Sequence, residues 1–358
     1  MKETVQQFRT EGTVIKCIPF GSGHINQTWL VVTNQPHLYI LQRVNTETFR
    51  DPEGLMNNIL MVTKHLRKQD PDPRHVMTLV KLKDGRDYIL NGRKELWRMY
   101  EYVTGGVCLE RAETAADFRN SGIAFGSFQK KLADFPAEKL TETIPGFHDT
   151  PKRYEALHEA IREDRAGRVK DVQPEISFMM EREAAAGLLQ QMLKAGELPL
   201  RVTHNDTKLN NVMLDEKTRE PLCILDLDTV MPGLAANDFG DSIRFGASTA
   251  EEDEKDLDKV HLDLELYRAY AEGFLGSCGD RLTRAERETL PDGARIITLE
   301  NAVRFLTDYL NGDTYYHIER PEHNLDRART QMKLAEEMEA HLPEMQGLLL
   351  EICQKHRA

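Results

Sequence analysis

The first third of the chain alternates apolar and polar residues with the period of two that is typical of β-strands. One stretch there, Pro52–Lys68, instead repeats apolar residues every three or four positions and predicts a helix. After Gly105 and Gly106, helical spacing dominates. The predicted strands are Thr13–Phe20, Thr28–Thr33, Leu38–Val44, Met77–Leu82, Tyr88–Leu90 and Leu96–Val103. The predicted later helices are Thr114–Leu132, Glu175–Ala195, Leu262–Leu275, Ala294–Asn311 and Leu325–His341. The pattern therefore predicts an α+β protein with a small antiparallel sheet lobe, residues 1–104, and a helical lobe, residues 105–358.

One short element interrupts the helical lobe. Two apolar runs, Val212–Leu214 and Leu222–Leu225, flank a polar, turn-forming segment and predict a β-hairpin. Antiparallel pairing would place Asn211 beside Asp226, with Asp206 one loop upstream. This order matches the kinase H-x-D-x-x-x-x-N loop and its following metal aspartate. In that chemistry a carboxylate deprotonates the attacking hydroxyl, while an amide and a second carboxylate hold magnesium on the nucleotide phosphates.

A glycine-rich loop links the first two predicted strands. Backbone amides in such a loop can approach phosphates closely, so Gly21, Ser22, Gly23 and His24 are expected to contact a nucleotide. A plain glycine turn is the alternative interpretation. No G-x-x-x-x-G-K-[ST] motif occurs, which disfavours a P-loop NTPase.

The amino-acid composition limits the classes of partner that this protein can bind. The chain is 40% hydrophobic and 30% charged, as in ordinary globular proteins, and its net charge of -12 argues against a nucleic-acid partner. No apolar run approaches a membrane span, and no signal peptide is evident. Five scattered cysteines without a C-x-x-C pair indicate reduced thiols. We therefore expect a cytoplasmic monomer that binds small molecules. The acidic run at residues 251–254 is interpreted as a solvated face or helix start.

The chain resembles the aminoglycoside and choline phosphotransferase superfamily and, more narrowly, N-acetylhexosamine 1-kinases. The resemblance covers nearly the whole chain, through PFGSGHINQTW, YILQRVN, HNDTKLNNVMLD, ILDLDTVMPG with NDFGD, RFLTDYLNGDTYY and PEHNLDRAR. It implies a protein-kinase-like two-lobe fold. It also implies that ATP and Mg²⁺ are the cofactors and that phosphate is placed on the anomeric hydroxyl of GlcNAc or GalNAc.

The resemblance also implies roles for individual residues. Asp206 becomes the catalytic base, and Asn211, Asp226 and Asp228 form the metal site. The remaining implied roles are sugar contacts for Arg304 and Tyr315, adenine contacts for the backbone of Glu101 to Val103, and bracing of the catalytic loop by Asp238 and Asp241.

The sequence departs from the kinase pattern at the position that supplies a positive charge beside the nucleotide phosphates. Kinases carry a lysine on the third strand, but here Gln42 occupies that position and Arg43 follows it. Alternation points these two side chains to opposite faces, and Arg43 is retained as a candidate nucleotide contact. Lys208, two residues after Asp206, is expected to stabilise charge on the γ-phosphoryl group, with a solvated loop lysine as the alternative.

Two other functions stay open at this point. The acceptor is either a sugar or another hydroxylated metabolite, such as an amino alcohol or an aminoglycoside. A catalytically silent pseudokinase is the second alternative, although Asp206, Asn211, Asp226 and Asp228 are all present. A protein kinase is disfavoured because no activation segment with an A-P-E ending follows Asp228.

Overall fold

The structure is a computed structural model that describes residues 2–21 and 25–355. It has a sheet-based N-terminal lobe and a larger helical lobe, so the α+β two-lobe prediction is confirmed. The strands are β1 (Val14–Pro19), β2 (Gln27–Thr33), β3 (Leu38–Val44), β4 (Ile89–Leu90), β5 (Leu96–Glu101), β6 (Gly106–Cys108), β7 (Arg201–Thr203), β8 (Val212–Asp215), β9 (Pro221–Ile224) and β10 (Met231–Gly233). The helices are α1 (Lys2–Val5), α2 (Pro52–Gln69), α3 (Ala115–Lys131), α4 (Thr150–Glu163), α5 (Gln173–Ala186), α6 (Leu188–Lys194), α7 (Ala235–Gly246), α8 (Leu264–Cys278), α9 (Arg284–Leu310), α10 (His323–Ala340) and α11 (Leu342–Lys355).

The N-terminal sheet is antiparallel, with strand order β1-β2-β3-β5-β4. Its register sets Thr28 opposite Gln42 and Gln42 opposite Arg98, so these three side chains form a row on one face. The other face carries Leu41 and Met99, which are fully buried in an apolar cluster with the N-terminal segment. The two faces of this sheet therefore differ sharply in polarity.

Helix α2 joins the two lobes. It begins with proline in its first turn, and the Asp51 side chain accepts a hydrogen bond from the Gly54 amide at 2.9 Å, which is a standard N-cap. Its buried stripe, including Leu55 and Ile59, packs in a cluster that also contains Val230 of the helical lobe. Burial of this stripe makes α2 part of the interface between the lobes.

Helix α9 is the centre of the helical lobe and packs against α4, α7 and α10. It starts with a capping box in which Thr283 and Glu286 exchange hydrogen bonds. Glycines let α7 approach it closely, since a Cβ on Gly240 would lie 2.5 Å from the backbone of Gly293. The two backbones are therefore in direct contact.

Several predicted elements differ from the observed ones. The predicted strand Met77–Leu82 is wrong, because that segment makes only isolated bridges through Leu79 and Leu82. The predicted helix Glu175–Ala195 is two helices, α5 and α6, separated at Gly187. Helix α9 begins ten residues earlier than predicted and contains Pro291, a residue type that is unfavourable inside a helix.

Four helices were not predicted, and one of them, α1, is a single turn. Helix α7 is buried around nearly its whole circumference, because its polar face, with Asp238 and Asp241, packs against the catalytic loop and not against solvent. Helices α4 and α11 each carry a proline in their first turn, at a position that is compatible with a helix start. Among the described residues, no helix combines the length and apolar character needed to cross a bilayer.

Candidate active site

The predicted hairpin is confirmed. Strands β8 and β9 pair antiparallel, with Val212 opposite Ile224. Just beyond this pair the Leu225 amide donates a 2.8 Å hydrogen bond to the carbonyl of Asn211. The pairing therefore brings Asn211 next to the segment that carries Asp226.

Asp206 is held from two sides. The Asn211 amide nitrogen donates to the Asp206 Oδ2 at 3.0 Å and to its main-chain carbonyl at 2.9 Å. The Lys208 Nζ lies 3.4 Å from the Asp206 Oδ1, and this carboxylate raises the pKa of Lys208. The Asp206 side chain remains 30% exposed, so its carboxylate is oriented and still reachable by a substrate hydroxyl.

Two aspartates on α7 fix the backbone of the catalytic loop, as the sequence suggested. Asp238 accepts hydrogen bonds from the amides of His204 and Asn205 at 2.9 and 2.8 Å. Asp241 accepts from the Thr207 amide at 3.0 Å. The His204 ring also bonds the carbonyl of Leu225 at 2.8 Å, so this histidine braces the loop. Asp206 therefore sits in a loop whose backbone is held on both sides.

Asn211 and Asp226 present oxygen atoms that suit a hard cation. Because the Asn211 nitrogen is turned toward Asp206, its Oδ1 is the atom left for a metal. Burial, and then the carboxylates of Asp228 and Asp206, raise the pKa of Asp226 to about 7. Asp226 itself is exposed, and a concentration of negative charge at a position that an ion can reach favours a bound cation.

The donor set is small. Within residues 2–21 and 25–355, no cluster of three or more His, Cys, Asp or Glu side chains is arranged to hold a metal ion. One carboxylate, one amide and the substrate's phosphate oxygens are the set that Mg²⁺ commonly uses, since it keeps several waters. The residues present therefore fit Mg²⁺ held jointly with a nucleotide.

Asp228 is placed differently from the expectation that it lies at the metal. Its Oδ1 forms a 2.5 Å ion pair with the Arg98 Nη1, and both side chains are almost fully buried. Its Oδ2 accepts a 2.6 Å hydrogen bond from the Asn26 amide nitrogen. Since both carboxylate oxygens are engaged by N-terminal-lobe side chains, the structure gives Asp228 a contact between the lobes.

Arg43 lies away from these carboxylates. Its guanidinium pairs with Glu95 at 2.8 Å and lies 5.9 Å from the Trp97 ring. Gln42 and Arg98 occupy the opposite face of the sheet, because side chains alternate along each strand. The structure therefore does not bring Arg43 to Asp206 and Asp226. Arg98, which the sequence analysis did not single out, lies there instead.

The nucleotide side is described only in part. Gly21 follows β1 with φ +82°, a conformation that favours glycine. The predicted contacts Ser22, Gly23 and His24 lie outside the described residues. Phe20, 43% exposed, meets the Tyr102 ring edge-on at 6.2 Å.

The segment after β5 turns into the second lobe. Tyr102 donates its amide to the Leu38 carbonyl at 3.0 Å, and Glu101 donates to the Thr78 carbonyl at 2.9 Å. The Val103 amide donates to no backbone or side-chain group in the part of the chain that the structure describes. An unpaired amide at this position is suited to the adenine contact that the sequence predicted.

The predicted acceptor residues lie together. The Arg304 guanidinium is 5.6 Å from the rings of both Phe147 and Tyr316. The Tyr315 ring meets Tyr316 edge-on at 4.8 Å and is 70% exposed. Arg304 and Tyr315 therefore belong to one aromatic-lined cluster.

A buried carboxylate that the sequence analysis missed shapes this loop. Asp308 accepts hydrogen bonds from the amides of Thr314, Tyr315 and Tyr316 at 2.8 to 2.9 Å. Asn324 donates to the same carboxylate at 2.9 Å. The presentation of Tyr315 thus depends on a residue near the end of α9. The sequence signal for this contact was an aspartate about one helical turn before the turn at residues 311–313.

Glu252 connects the acceptor cluster with the catalytic loop. Its carboxylate accepts from the Arg244 Nη1 at 2.8 Å, and Arg244 also pairs with Asp241. Burial alone would raise the pKa of Glu252, but Arg244 and Lys208 lower it. Glu252 in turn contributes to the raised pKa of Tyr316, after burial. The interpretation of residues 251–254 as a solvated face is therefore corrected for Glu252.

Two buried polar atoms in this region of the fold, on His148 and Tyr316, have no hydrogen-bond partner among the described residues. The His148 Nδ1 bonds Glu300 at 2.9 Å, whereas its buried Nε2 has no hydrogen-bond partner among the described residues. The buried Tyr316 hydroxyl likewise has none within that part of the chain. Buried polar groups without partners are uncommon, and at a functional site they indicate positions for ligand atoms.

A family comparison agrees with this geometry. Residues 16–273 match the model of the phosphotransferase enzyme family, which is well over half of the chain. The chain belongs to this family. The expectation drawn from the superfamily resemblance is confirmed at that level.

Solved structures place the fold of this phosphotransferase among small-molecule kinases. A microcompartment-associated aminopropanol kinase is 18% identical, with TM-score 0.66 over 96% of this chain and 97% of its own. An amicoumacin kinase in complex with AMP-PNP and Ca²⁺ is 14% identical, with TM-score 0.63 over 94% and 92%. An aminoglycoside phosphotransferase from Alicyclobacillus acidocaldarius is 12% identical, with TM-score 0.60 over 100% and 96%. These likenesses confirm the protein-kinase-like fold.

Proposed function

We propose that this phosphotransferase transfers the γ-phosphoryl group of ATP to the anomeric hydroxyl of an N-acetylhexosamine, GlcNAc or GalNAc. ATP and Mg²⁺ are its cofactors, in keeping with the family and with the oxygen donors of Asn211 and Asp226. The proposal is supported most directly by the acceptor cluster, in which Arg304 lies between two aromatic rings beside unpartnered polar atoms.

In this proposal, two residues of the catalytic loop act on the reacting groups, and two on α7 hold the loop in place. Asp206 orients the acceptor hydroxyl and takes its proton, since its carboxylate is held by Asn211 and remains reachable. Lys208 places a positive charge beside Asp206, where negative charge moves during transfer. Bound Mg²⁺ would supply charge neutralisation of the nucleotide phosphates. The backbone held by Asp238 and Asp241 keeps these groups aligned.

The charge at the acceptor end favours a neutral substrate. A fixed guanidinium at Arg304 repels a cationic acceptor and donates hydrogen bonds to hydroxyl or carbonyl oxygens. The exposed Tyr315 ring offers a flat surface for a sugar. The His148 Nε2 and the Tyr316 hydroxyl supply further polar contacts for a polyhydroxylated ring.

An amino-alcohol kinase is the second candidate. Glu252, whose side chain is 35% exposed, provides a carboxylate near Lys208 and Tyr316 that an ammonium group would seek. The fold is also similar to that of an aminopropanol kinase. In this alternative Glu252 outweighs the repulsion from Arg304.

The deciding experiment measures ADP release across a panel of N-acetylhexosamines, aminopropanol, choline, ethanolamine and aminoglycosides, followed by phosphorus NMR of the product. We expect turnover with GlcNAc or GalNAc and coupling of the new phosphorus to H1. Turnover confined to the amino alcohols, or coupling to H6, would contradict the proposal.

A pair of variants separates the two candidates further. Arg304→Met should raise the sugar KM by about 10- to 100-fold, because it removes hydrogen bonds to a charged group worth about 1.5–3 kcal/mol. Arg162→Met is the matched control, since this arginine is 71% exposed on α4 and should leave KM unchanged. If Arg304→Met instead improves the turnover of the sugar, the assignment of Arg304 to the sugar site is wrong.

The remaining organisation follows the same proposal. Residues 1–104 form the nucleotide-binding lobe, and residues 105–358 carry the catalytic loop, the metal site and the sugar site. The enzyme acts as a monomer in the cytoplasm, where the reducing conditions suit cysteines that form no disulfide among the described residues.

A further inference from the structure

A row of polar side chains crosses the N-terminal sheet and ends at the metal-binding segment. The Gln42 Nε2 donates to the Thr28 hydroxyl at 3.3 Å, across the β2–β3 pair. The Gln42 Oε1 accepts from Arg98 twice, from Nε at 3.0 Å and from Nη2 at 2.8 Å. The third nitrogen, Nη1, forms the ion pair with Asp228. The glutamine at the position of the kinase strand lysine therefore holds an arginine from the neighbouring strand.

A second contact to Asp228 comes from the end of the glycine-rich loop. The Asn26 Nδ2 donates to the Asp228 Oδ2, while the Asn26 Oδ1 accepts from the Asn45 amide at 3.0 Å. The Asp228 main-chain carbonyl accepts from the Thr143 hydroxyl at 3.2 Å. Asp228 is thus bound by β5, by the start of β2 and by the helical lobe, and it lies two residues after Asp226.

We propose that Arg98 is a positioning residue that ties the metal-binding segment to the N-terminal sheet through Asp228. The tie aligns the metal donors Asn211 and Asp226 with the phosphates of the nucleotide. Gln42 orients the arginine, and Asn26 adds a second contact to Asp228 from the start of β2. The inference deepens the proposed function, because it rests on the use of ATP and Mg²⁺, but it is independent of the acceptor.

The charge balance supports this arrangement. Asp206, Asp226 and Asp228 place three carboxylates near one point, and Arg98 neutralises the one that is farthest from water. Burial would lower the pKa of Arg98, but its pairing with Asp228 keeps it raised, so the guanidinium stays charged. A buried ion pair fixes geometry more than it adds stability, which is the property that a positioning role requires.

The test measures how strongly Mg²⁺ tightens the binding of AMP-PNP, by calorimetry without any acceptor. The ratio of the two dissociation constants, without and with Mg²⁺, is the coupling between metal and nucleotide. We expect Arg98→Gln to lower this ratio by about 10-fold or more, a size typical of lost coupling, while binding without Mg²⁺ changes little. Arg98→Lys should recover part of the ratio, because charge is kept but the fork geometry is lost.

Arg43→Gln is the matched control, since Arg43 lies on the neighbouring strand but on the opposite face. It should leave the ratio unchanged. If Arg98→Gln does not fold, the double variant Arg98→Met, Asp228→Asn leaves no buried unpaired charge and is measured in its place. Circular dichroism verifies that each protein is folded.

The coupling ratio separates positioning from a purely structural role. A structural role would lower the melting temperature and leave the ratio intact. A wild-type ratio in a folded Arg98→Gln or in the double variant would overturn the proposal, as would a wild-type protein in which Mg²⁺ fails to tighten AMP-PNP binding. Failure of every sugar in the acceptor panel would leave this measurement unaffected, so the two proposals fail separately.

Discussion

The catalytic loop and the N-terminal sheet both direct charged side chains at Asp226, but they are held in different ways. The loop is fixed by main-chain amides that donate to Asp238 and Asp241, all within about one tenth of the chain. The sheet lobe reaches the same place through two contacts to Asp228, the buried ion pair from Arg98 and the hydrogen bond from Asn26, and both cross between the lobes. The loop therefore keeps its shape within one lobe, whereas the contribution of the sheet depends on how the lobes meet.

The largest expected effect tests the loop alone. Asp206→Asn keeps the hydrogen bond from Asn211 but cannot accept a proton, so kcat should fall by roughly 10²–10⁴ with the melting temperature preserved. Steady-state ADP release measures the loss. Asp215→Asn is the control, because this aspartate caps the hairpin turn and asparagine keeps that bond. Near-wild-type turnover of a folded Asp206→Asn protein would remove this residue from the chemistry.

The next effect concerns the positive charge in the loop. Lys208→Ala should lower kcat by about 10²–10³, the usual cost of one preorganised group, and change the ATP KM only a few-fold. Lys208→Arg should recover part of kcat. The exposed Lys217, at the hairpin turn, gives the control variant Lys217→Ala. An unchanged kcat for Lys208→Ala would show that Lys208 does not stabilise the transferring phosphoryl group, and Arg98 would then be the main cation of the site.

A third test uses the charge on Asp226. The pKa of this carboxyl rises from about 3.9 in an unfolded chain to about 7 in the fold. Between these values the folded state keeps a proton that the unfolded state has lost, so metal-free stability falls as pH rises through this window. Mg²⁺ binds the ionised carboxylate and should therefore raise the melting temperature more at pH 8 than at pH 6.

The matched variant for that test is Asp226→Asn. Without Mg²⁺ at pH 8 it should melt above the wild type by roughly 1–2 °C for each kcal/mol of relieved repulsion, since the unfolding entropy scales with chain length. It should also lose both the pH slope and the stabilisation by Mg²⁺. Thermal melts at the two pH values, with and without the metal, give the answer. A variant that melts below the wild type at pH 8 would show that this charge is not the source of strain.

The smallest expected effect sharpens the difference between the two faces of the sheet. Arg43→Gln removes a half-exposed ion pair to Glu95, which contributes less than about 1 kcal/mol. The ATP KM and kcat should stay within about twofold of wild type, because surface substitutions rarely reach further. A several-fold rise in the ATP KM would return Arg43 to the nucleotide site.

The same contrast explains what could be predicted from the sequence. The hairpin, Asn211 beside Asp226, and the bracing by Asp238 depend on residues close together in the chain or in one motif, and all were predictable. Arg98 could not be found in this way, because its role depends on the register of β3 against β5. Alternation predicted that Gln42 and Arg43 face opposite ways, but it could not say which face meets the metal site.

The helical lobe shows a second limit. Helix α7 turns its polar face, with both bracing aspartates, toward the buried catalytic loop, and α9 contains a proline. Glu252 and Asp308 form contacts that depend on how loops fold back on these helices. Long-range contacts of this kind leave no periodic signal in the sequence.

The close approach of Gly240 and Gly293 has a mechanical consequence. Helix α7 carries Asp238 and Asp241, and α9 carries Arg304, with no side chain between the two backbones at the crossing. The loop that carries the base and the acceptor cluster are therefore held by two helices in direct backbone contact. A single added methyl group at the crossing would force these helices apart. A misalignment of about 1 Å can cost about 10²-fold in rate, so this pair of helices has little tolerance for bending.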